Sequence, residues 1–182
     1  EQHYYDQDGR GTWARDGGGV LITQAIHTLD IMLLLCGPVK EVQGLIHTSA
    51  LHKLEAEDFS GALLNFESGA RGTLMASTTH FPGHKEEIIL NCSEATVNIS
   101  GADLKVFYHN GKIESLETDS QTGSGSDPMD FSYTWHANVI EQFWTQFTKN
   151  QQIEISAESA LPVQRLIDAI VRSSKLEKKV TV

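Results

Sequence analysis

The spacing of apolar residues changes along the chain, and each change predicts a different kind of element. Residues 19–36 carry too many apolar side chains for a surface helix, which predicts a largely buried helix ending at Gly37. Shorter apolar runs bounded by turn residues follow and predict β-strands. Helical spacing returns near the end of the chain and predicts helices at residues 133–149 and 158–175, then a short strand at 179–182.

Two turn signals organise the predicted strands into hairpins. Ser68-Gly69 predicts one hairpin, and Asn110-Gly111 is the strongest short hairpin signal in the chain. The predicted strands span residues 42–50, 59–66, 70–79, 85–92, 96–99, 104–109 and 112–117. The two signals therefore join the second strand to the third and the last two strands to each other.

The order of the elements, a helix followed by strands and then helices, is typical of an α+β domain. The sequence contains no internal repeat and no linker, so we expect a single domain over residues 1–182. Its sheet should be open and mainly antiparallel, with helices packed on one face. Residues 118–130 are rich in Ser and Gly and predict a mobile loop.

Composition limits the partners that the chain can bind. A formal net charge of −10 over 182 residues argues against nucleic acid and anionic membrane surfaces. No uninterrupted apolar run reaches the roughly 18 to 20 residues that span a bilayer. Cys36 and Cys92 lie far apart without a CxxC motif, which indicates neither a metal site nor a redox pair and fits a cytoplasmic protein. Because the chain begins at Glu1 rather than Met, we expect a piece of a longer protein.

Three glycines at residues 17–19 stand directly before the first predicted helix and raise the question of phosphate binding. A dinucleotide-binding turn needs a hydrophobic strand before a GxGxxG motif, and residues 10–16 do not predict such a strand. No P-loop Lys-Ser/Thr pair follows the glycines. Glycine also permits close backbone approach at a helix start, and the sequence favours this second interpretation.

One side of the predicted helix is polar. Thr23, His27 and Asp30 are spaced at i, i+4 and i+7 and therefore share one stripe, which Gln24 and Thr28 widen. Such a stripe must face water, a ligand or polar partners, because an unpaired buried polar group costs about 1 to 3 kcal/mol. Asp30 lies one turn after His27 and would orient its imidazole for proton transfer. A histidine that only completes a core or an interface is the alternative.

Three segments of the chain resemble one known family. Residues 17–44, GGGVLITQAIHTLDIMLLLCGPVKEVQG, are similar to the start of the C-terminal domain of the GFO/IDH/MocA oxidoreductases. Residues 55–83, EAEDFSGALLNFESGARGTLMASTTHFPG, resemble a strand pair and a T-x-x-x-P-G turn of that family. Residues 136–147 and 155–174 are similar to its two terminal helices. The resemblance covers nearly the whole chain.

The resemblance implies a fold of the dihydrodipicolinate-reductase-like type and a function. Members are NAD(P)-dependent dehydrogenases or reductases that act mostly on sugars, polyols, sugar nucleotides and related carbonyl compounds. Their Rossmann domain, which binds NAD or NADP and carries a catalytic lysine, would lie upstream of this chain. We therefore expect hydride transfer between a nicotinamide cofactor and a sugar-like substrate, with the isolated domain inactive.

The resemblance also assigns roles to the polar stripe. His27 matches the family histidine that acts with the lysine in proton transfer to and from the substrate. Thr23 stands where many members have an aspartate or asparagine, and threonine can hydrogen-bond a sugar hydroxyl but cannot act as a base at neutral pH. His27 must then carry more of the proton transfer, or the substrate differs from that of members with an acidic residue at this position. Gln24 fits a subgroup associated with sugar-nucleotide substrates.

Other matched positions surround this stripe. Asp30 matches a family aspartate that supports the histidine. Trp13 resembles a residue of the segment that leads into the substrate pocket, and His80 lies in a loop near the family's substrate site. His136 opens a helix at a position where members often have a histidine facing the cleft, although simple placement at the helix start is favoured. Trp13 and His80 are therefore predicted substrate-binding residues and Asp30 a predicted supporting residue, whereas His136 is not assigned to the site.

The eight histidines raise the alternative of a metal-binding protein. His80 and His84 are spaced at i, i+4, but Pro-Gly between them prevents the helix that would aim both at one metal ion. A catalytically silent module that only binds a ligand or oligomerises is the main alternative to an enzyme. An upstream GxGxxG unit with a catalytic lysine would identify the enzyme. Apolar residues on both alternations of the strands predict a homodimer or larger assembly through the open sheet face.

Overall fold

A computed structural model describes residues 2–117 and 133–182. The predicted mobile loop at residues 118–130 lies outside the described residues. The chain divides into two compact units, of which the first combines Glu1–His80 with Ala157–Val182 and the second consists of Phe81–Ser156. Each unit contains one four-stranded sheet, so the strands that the sequence predicted for one sheet form two.

The first unit combines one sheet with helices that precede and follow its first three strands in the chain. Its elements are α1 (Gln2–Tyr5), α2 (Trp13–Asp16), a π-helical turn (Leu21–Ala25), α3 (Ile26–Cys36), β1 (Val39–His47), β2 (Phe59–Phe66), β3 (Arg71–Ser77), a 3₁₀ turn (Glu158–Ala160), α5 (Leu161–Leu176) and β8 (Val180–Thr181). The strand order is β3-β2-β1-β8. The last short strand of the chain therefore completes the sheet that the first strand began.

The second unit is a four-stranded meander followed by one helix. Its elements are β4 (Glu87–Asn91), β5 (Ala95–Ser100), β6 (Asp103–Tyr108), β7 (Ile113–Leu116) and α4 (Thr134–Thr148). Every strand pairing described in the two units is antiparallel, which confirms the predicted α+β class. Both predicted hairpins are also confirmed, and Gly69 and Gly111 have the positive φ angles that their turns require.

The hydrophobic core of the first unit lies between its sheet and its helices. Leu166 and Ile170 of α5 pack with Val42 of β1 and Leu64 of β2, and all four side chains are buried. A Cβ atom on Gly44 would lie 2.6 Å from the carbonyl oxygen of Ile170, so glycine is needed where α5 crosses β1. This packing anchors the helices on one face of the sheet.

The first long helix differs from its prediction. Leu21 and Leu29 are buried, but Ile31, Leu34 and Leu35 are exposed, so the predicted largely buried helix is wrong for this chain. Apolar density predicts that a helix can be buried, but the position of its packing partners decides which side is. By length and composition alone, Trp13–Cys36 could also cross a membrane, a test that core helices of soluble proteins pass as well.

Candidate functional site

The glycine-rich turn before the π-helical turn is bonded to a buried carboxylate. Glu57 precedes β2, and one of its carboxylate oxygens accepts a hydrogen bond from the amide of Gly19 at 3.0 Å. The other oxygen accepts one from the amide of Leu21 at 3.1 Å. The backbone carbonyl of Glu57 accepts a third bond, from the amide of Val20, at 2.9 Å. Three successive amides at the helix start therefore have partners within the protein.

The close approach of this turn to Glu57 explains a glycine. A Cβ atom on Gly19 would lie 1.8 Å from the carbonyl oxygen of Glu57, a distance that no side chain can adopt. The predicted role of the glycines in close backbone approach is thus confirmed for Gly19, whereas a Cβ atom on Gly17 would meet nothing within 4 Å. Because Glu57 occupies the amides that an anion would need, this turn does not cradle a phosphate in the observed conformation.

The polar stripe begins in the π-helical turn. Both the amide and the hydroxyl of Thr23 donate to the carbonyl of Gly19, at 3.0 and 2.8 Å. Single π-helical turns inside α-helices frequently occur at functional sites. Since its own proton is donated within the protein, the Thr23 hydroxyl presents acceptor capacity to a ligand.

The predicted stripe forms one accessible face. Thr23, Gln24, His27 and Asp30 are exposed, and Thr28 is half-buried. His27 lies in the first turn of α3, directly after the π-helical turn. In residues 2–117 and 133–182 no hydrogen bond joins His27 to Asp30, so orientation of the imidazole by Asp30 stays a prediction.

Trp13 lies beside the glycine-rich turn. A Cβ atom on Gly18 would lie 3.3 Å from Cζ3 of the indole and 3.1 Å from a methyl carbon of Ile22. The ammonium of Lys175, at the end of α5, lies 5.5 Å from the centre of a Trp13 ring, within the range of a cation–π contact. Trp13 and Ile22, the residue that precedes Thr23, thus both lie close to Gly18, and the role of Trp13 in substrate binding stays a prediction.

His80, a predicted site residue, and His136, for which simple placement at a helix start was favoured, lie away from this cluster in the sequence. His80 is exposed, three residues after the end of β3 and at the boundary of the first unit. His136 is exposed in the first turn of α4, in the second unit. The approach of His80 to a substrate remains a prediction. Among the described residues, no group of three or more His, Cys, Asp or Glu side chains is arranged to hold a metal ion.

Sequence reasoning missed Glu57 and Lys175. A signal for Glu57 exists, because Glu57 and Asp58 are adjacent acidic residues directly before an apolar strand, where a buried carboxylate needs hydrogen-bond donors. Lys175 lies in the last turn of a predicted helix, where a lysine is ordinary. Only the packing of α5 reveals its contact with Trp13.

Asp58 is the centre of a second buried network. Its carboxylate accepts hydrogen bonds from the amide and hydroxyl of Ser49, at 2.8 and 2.6 Å, and lies 3.0 Å from Nδ1 of His52. Burial alone would raise the pKa of Asp58, but the hydrogen bonds from Ser49 and His52 outweigh it and hold the pKa below its usual value. The ring of Tyr5 packs 4.9 Å from that of His52. This network fixes the loop between β1 and β2.

Comparison with known proteins identifies the family. A family model described as the GFO/IDH/MocA C-terminal domain matches residues 1–98, which is more than half of the chain. The chain therefore belongs to the GFO/IDH/MocA C-terminal domain family, as the sequence motifs predicted. No curated protein matches the chain.

Solved structures share the fold over 95 to 100% of the chain. The WlbA dehydrogenase from Bordetella pertussis, in complex with NADH and UDP-GlcNAcA, is 24% identical, with a TM-score of 0.77 over 100% of this chain and 50% of that chain. The WlbA enzyme from Chromobacterium violaceum, with the same two ligands, is 25% identical, with a TM-score of 0.75 over 100% and 51%. Levoglucosan dehydrogenase with NADH and levoglucosan is 20% identical, with a TM-score of 0.77 over 95% and 52%. The chain thus spans about half the length of these relatives.

Proposed function

We propose that the chain is the substrate-binding and oligomerisation domain of a cytoplasmic NAD(P)-dependent oxidoreductase. The reaction would transfer hydride between the nicotinamide and a sugar, polyol or sugar-nucleotide substrate. The observation that carries the proposal is the exposed polar face of Thr23, Gln24 and His27, held at the start of a helix in a domain of this family. Relatives of the same fold bind NADH with a sugar nucleotide or a sugar.

The residues of this chain would bind the substrate and move its proton. His27 would take the hydroxyl proton during oxidation and return it during reduction, because imidazole exchanges protons near neutral pH. Thr23, whose own proton is donated to Gly19, would accept a hydrogen bond from a substrate hydroxyl. Gln24 extends the polar face by one side chain, and Trp13 and His80 would border the substrate.

The cofactor would be held mainly outside this chain. The glycine-rich turn is occupied by Glu57 and does not fit a dinucleotide pyrophosphate. When bound, NAD or NADP would supply or accept the hydride. Because the cofactor would be held mainly outside this chain, we expect the chain alone to bind NAD or NADP weakly or not at all.

A catalytically silent module is the second candidate. Thr23 favours it, because many family members have an aspartate or asparagine at this position. A screen of the full-length gene product against sugars and sugar nucleotides, with both NAD and NADP, tests the two functions. Sugar-dependent reduction of NAD or NADP supports the enzyme, whereas sugar binding without turnover supports the silent module.

Assembly through the open face of the first sheet is part of the proposal. α5 covers one face, while Leu45, Leu63 and Met75 on the other face are more than half exposed. Apolar side chains clustered on a sheet face favour burial against another surface, and we propose that a second copy of the chain supplies that surface.

Sedimentation of the double variant Leu63→Glu/Met75→Glu should show a smaller species than the unchanged protein. Leu116→Glu, at a site on β7 that is about as exposed as Leu63, is the control and should leave the sedimenting mass of the assembly unchanged. A monomeric unchanged protein would contradict the proposed assembly.

A further inference from the structure

Glu57 is a buried acidic side chain that contacts the helix start directly before the proposed catalytic face of Thr23, Gln24 and His27. Only 3% of its surface is exposed, and both carboxylate oxygens are used by backbone amides of the helix start. We propose that Glu57 is a positioning residue that fixes the location of Thr23 and His27 for proton transfer. The inference rests on the proposed function, because His27 must act on a substrate for its location to matter.

A continuous chain of hydrogen bonds connects Glu57 to the polar face. The carboxylate binds the amide of Gly19, and the carbonyl of the same glycine accepts both the amide and the hydroxyl of Thr23. His27 follows Thr23 by one helical turn. Movement of Glu57 therefore moves Gly19 and with it the π-helical turn that sets the direction of His27.

Electrostatics favours a carboxylate at this place. The amides at the start of a helix carry a partial positive charge, and a buried negative group stabilises that end. Glutamine at position 57 keeps the size of the side chain but replaces one acceptor oxygen with an NH₂ donor, which cannot bind an amide proton. The change therefore breaks one of the two side-chain bonds while it leaves the volume of the core unchanged.

The adjacent residue provides a matched control. Asp58 is also buried, neighbours Glu57 in the chain and uses its carboxylate oxygens for hydrogen bonds. Its bonds go to Ser49 and His52 in the loop between β1 and β2, not to the helix start. A general loss of stability should follow Asp58→Asn as well as Glu57→Gln, whereas displacement of the helix start should follow only Glu57→Gln.

The test combines amide exchange on this chain with turnover of the full-length gene product. In Glu57→Gln, we expect exchange at the Gly19 or Leu21 amide to become about tenfold faster, with a shift of the His27 ring signals. Turnover (kcat) should fall roughly 10- to 100-fold per folded molecule, while the KM for the cofactor stays unchanged. Asp58→Asn should leave the exchange at these two amides, the His27 signals and kcat per folded molecule as they are.

Several outcomes would overturn the inference. Unchanged amide exchange and His27 signals in Glu57→Gln would do so, as would equal changes in Asp58→Asn. If Glu57→Gln does not fold, Glu57→Asp replaces it, because the shorter side chain keeps the charge but cannot reach both amides. Failure of both variants to fold would make Glu57 a folding requirement rather than a positioning residue. Failure of the proposed function is distinct, since the full-length protein would then lack turnover while the exchange pattern is as expected.

Discussion

The two sides of α3 differ in burial: one side packs into the core, and the other carries the exposed polar face that we propose binds the substrate. Leu29 is 1% exposed and belongs to the core cluster with Leu166 and Ile170. His27 lies two residues earlier on the same helix and is exposed. Because the sides differ in burial, substitutions on them should separate stability from activity.

The first sheet repeats this contrast. Ala62 and Leu64 of β2 point to the core and are buried, whereas Leu63 between them is 58% exposed. Alternation along a strand sends neighbouring side chains to opposite faces, so one strand contributes to both surfaces. The contrast shows that the core of this unit lies on one face of the sheet and leaves one side of α3 and the other face of the sheet exposed.

The largest expected effect is that of His27. Replacement of His27 by Ala in the full-length protein should lower kcat by about 10²- to 10⁴-fold, because a general acid–base group is lost. Thermal stability and cofactor affinity should change little, since the side chain is exposed. Steady-state kinetics and thermal unfolding provide the measurement. His27→Asn, which keeps a hydrogen bond without proton exchange near pH 7, should be as slow, and unchanged kcat in it would show that another group transfers the proton.

The opposite side of α3 should give the opposite result. Leu29→Ala removes a fully buried side chain and should lower the free energy of unfolding by about 2 to 5 kcal/mol. Turnover per folded molecule should remain near that of the unchanged protein. Denaturant unfolding and kinetics below the melting temperature measure both quantities. If fully folded Leu29→Ala lost as much kcat as His27→Ala, the two sides of α3 would not have separate roles.

Asp58 should give a smaller, pH-dependent effect. Its pKa lies below the usual value in the folded protein, so the carboxylate stabilises the fold above its unfolded pKa, and this contribution is lost as the pH falls through the folded pKa. Asp58→Asn should therefore cost about 1 to 3 kcal/mol at pH 7. The difference between the two proteins should shrink below about pH 4. Urea unfolding as a function of pH measures it, and a difference independent of pH would contradict this account.

The smallest expected effect is that of Thr23. Thr23→Val keeps the shape of the side chain but removes the oxygen that would accept a hydrogen bond from the substrate. One such bond contributes about 0.5 to 1.5 kcal/mol, so the KM for the substrate should rise by a few-fold to about tenfold. Thr23→Ser, which retains the hydroxyl, is the control and should keep the KM. Equal KM values in all three proteins would remove Thr23 from the substrate site.

The sequence alone determined most of the secondary structure and the polar stripe. Asn110-Gly111 and Ser68-Gly69 mark hairpins by local turn chemistry, which requires no distant contact. The stripe of Thr23, His27 and Asp30 follows from the helical period, and it is exposed as one face. The family motifs lie in the same segments, so the fold class was accessible before any coordinates.

Tertiary structure decided how these elements are used. The apolar density of residues 19–36 could not show which side of the helix would be covered, because burial depends on the position of α5 and the sheet. The contact of Gly19 with Glu57 joins residues 38 positions apart, and its hydrogen bonds depend on the packing of a helix start against the segment that precedes β2. Local patterns thus predict elements and their faces, whereas long-range packing selects the partners of each face.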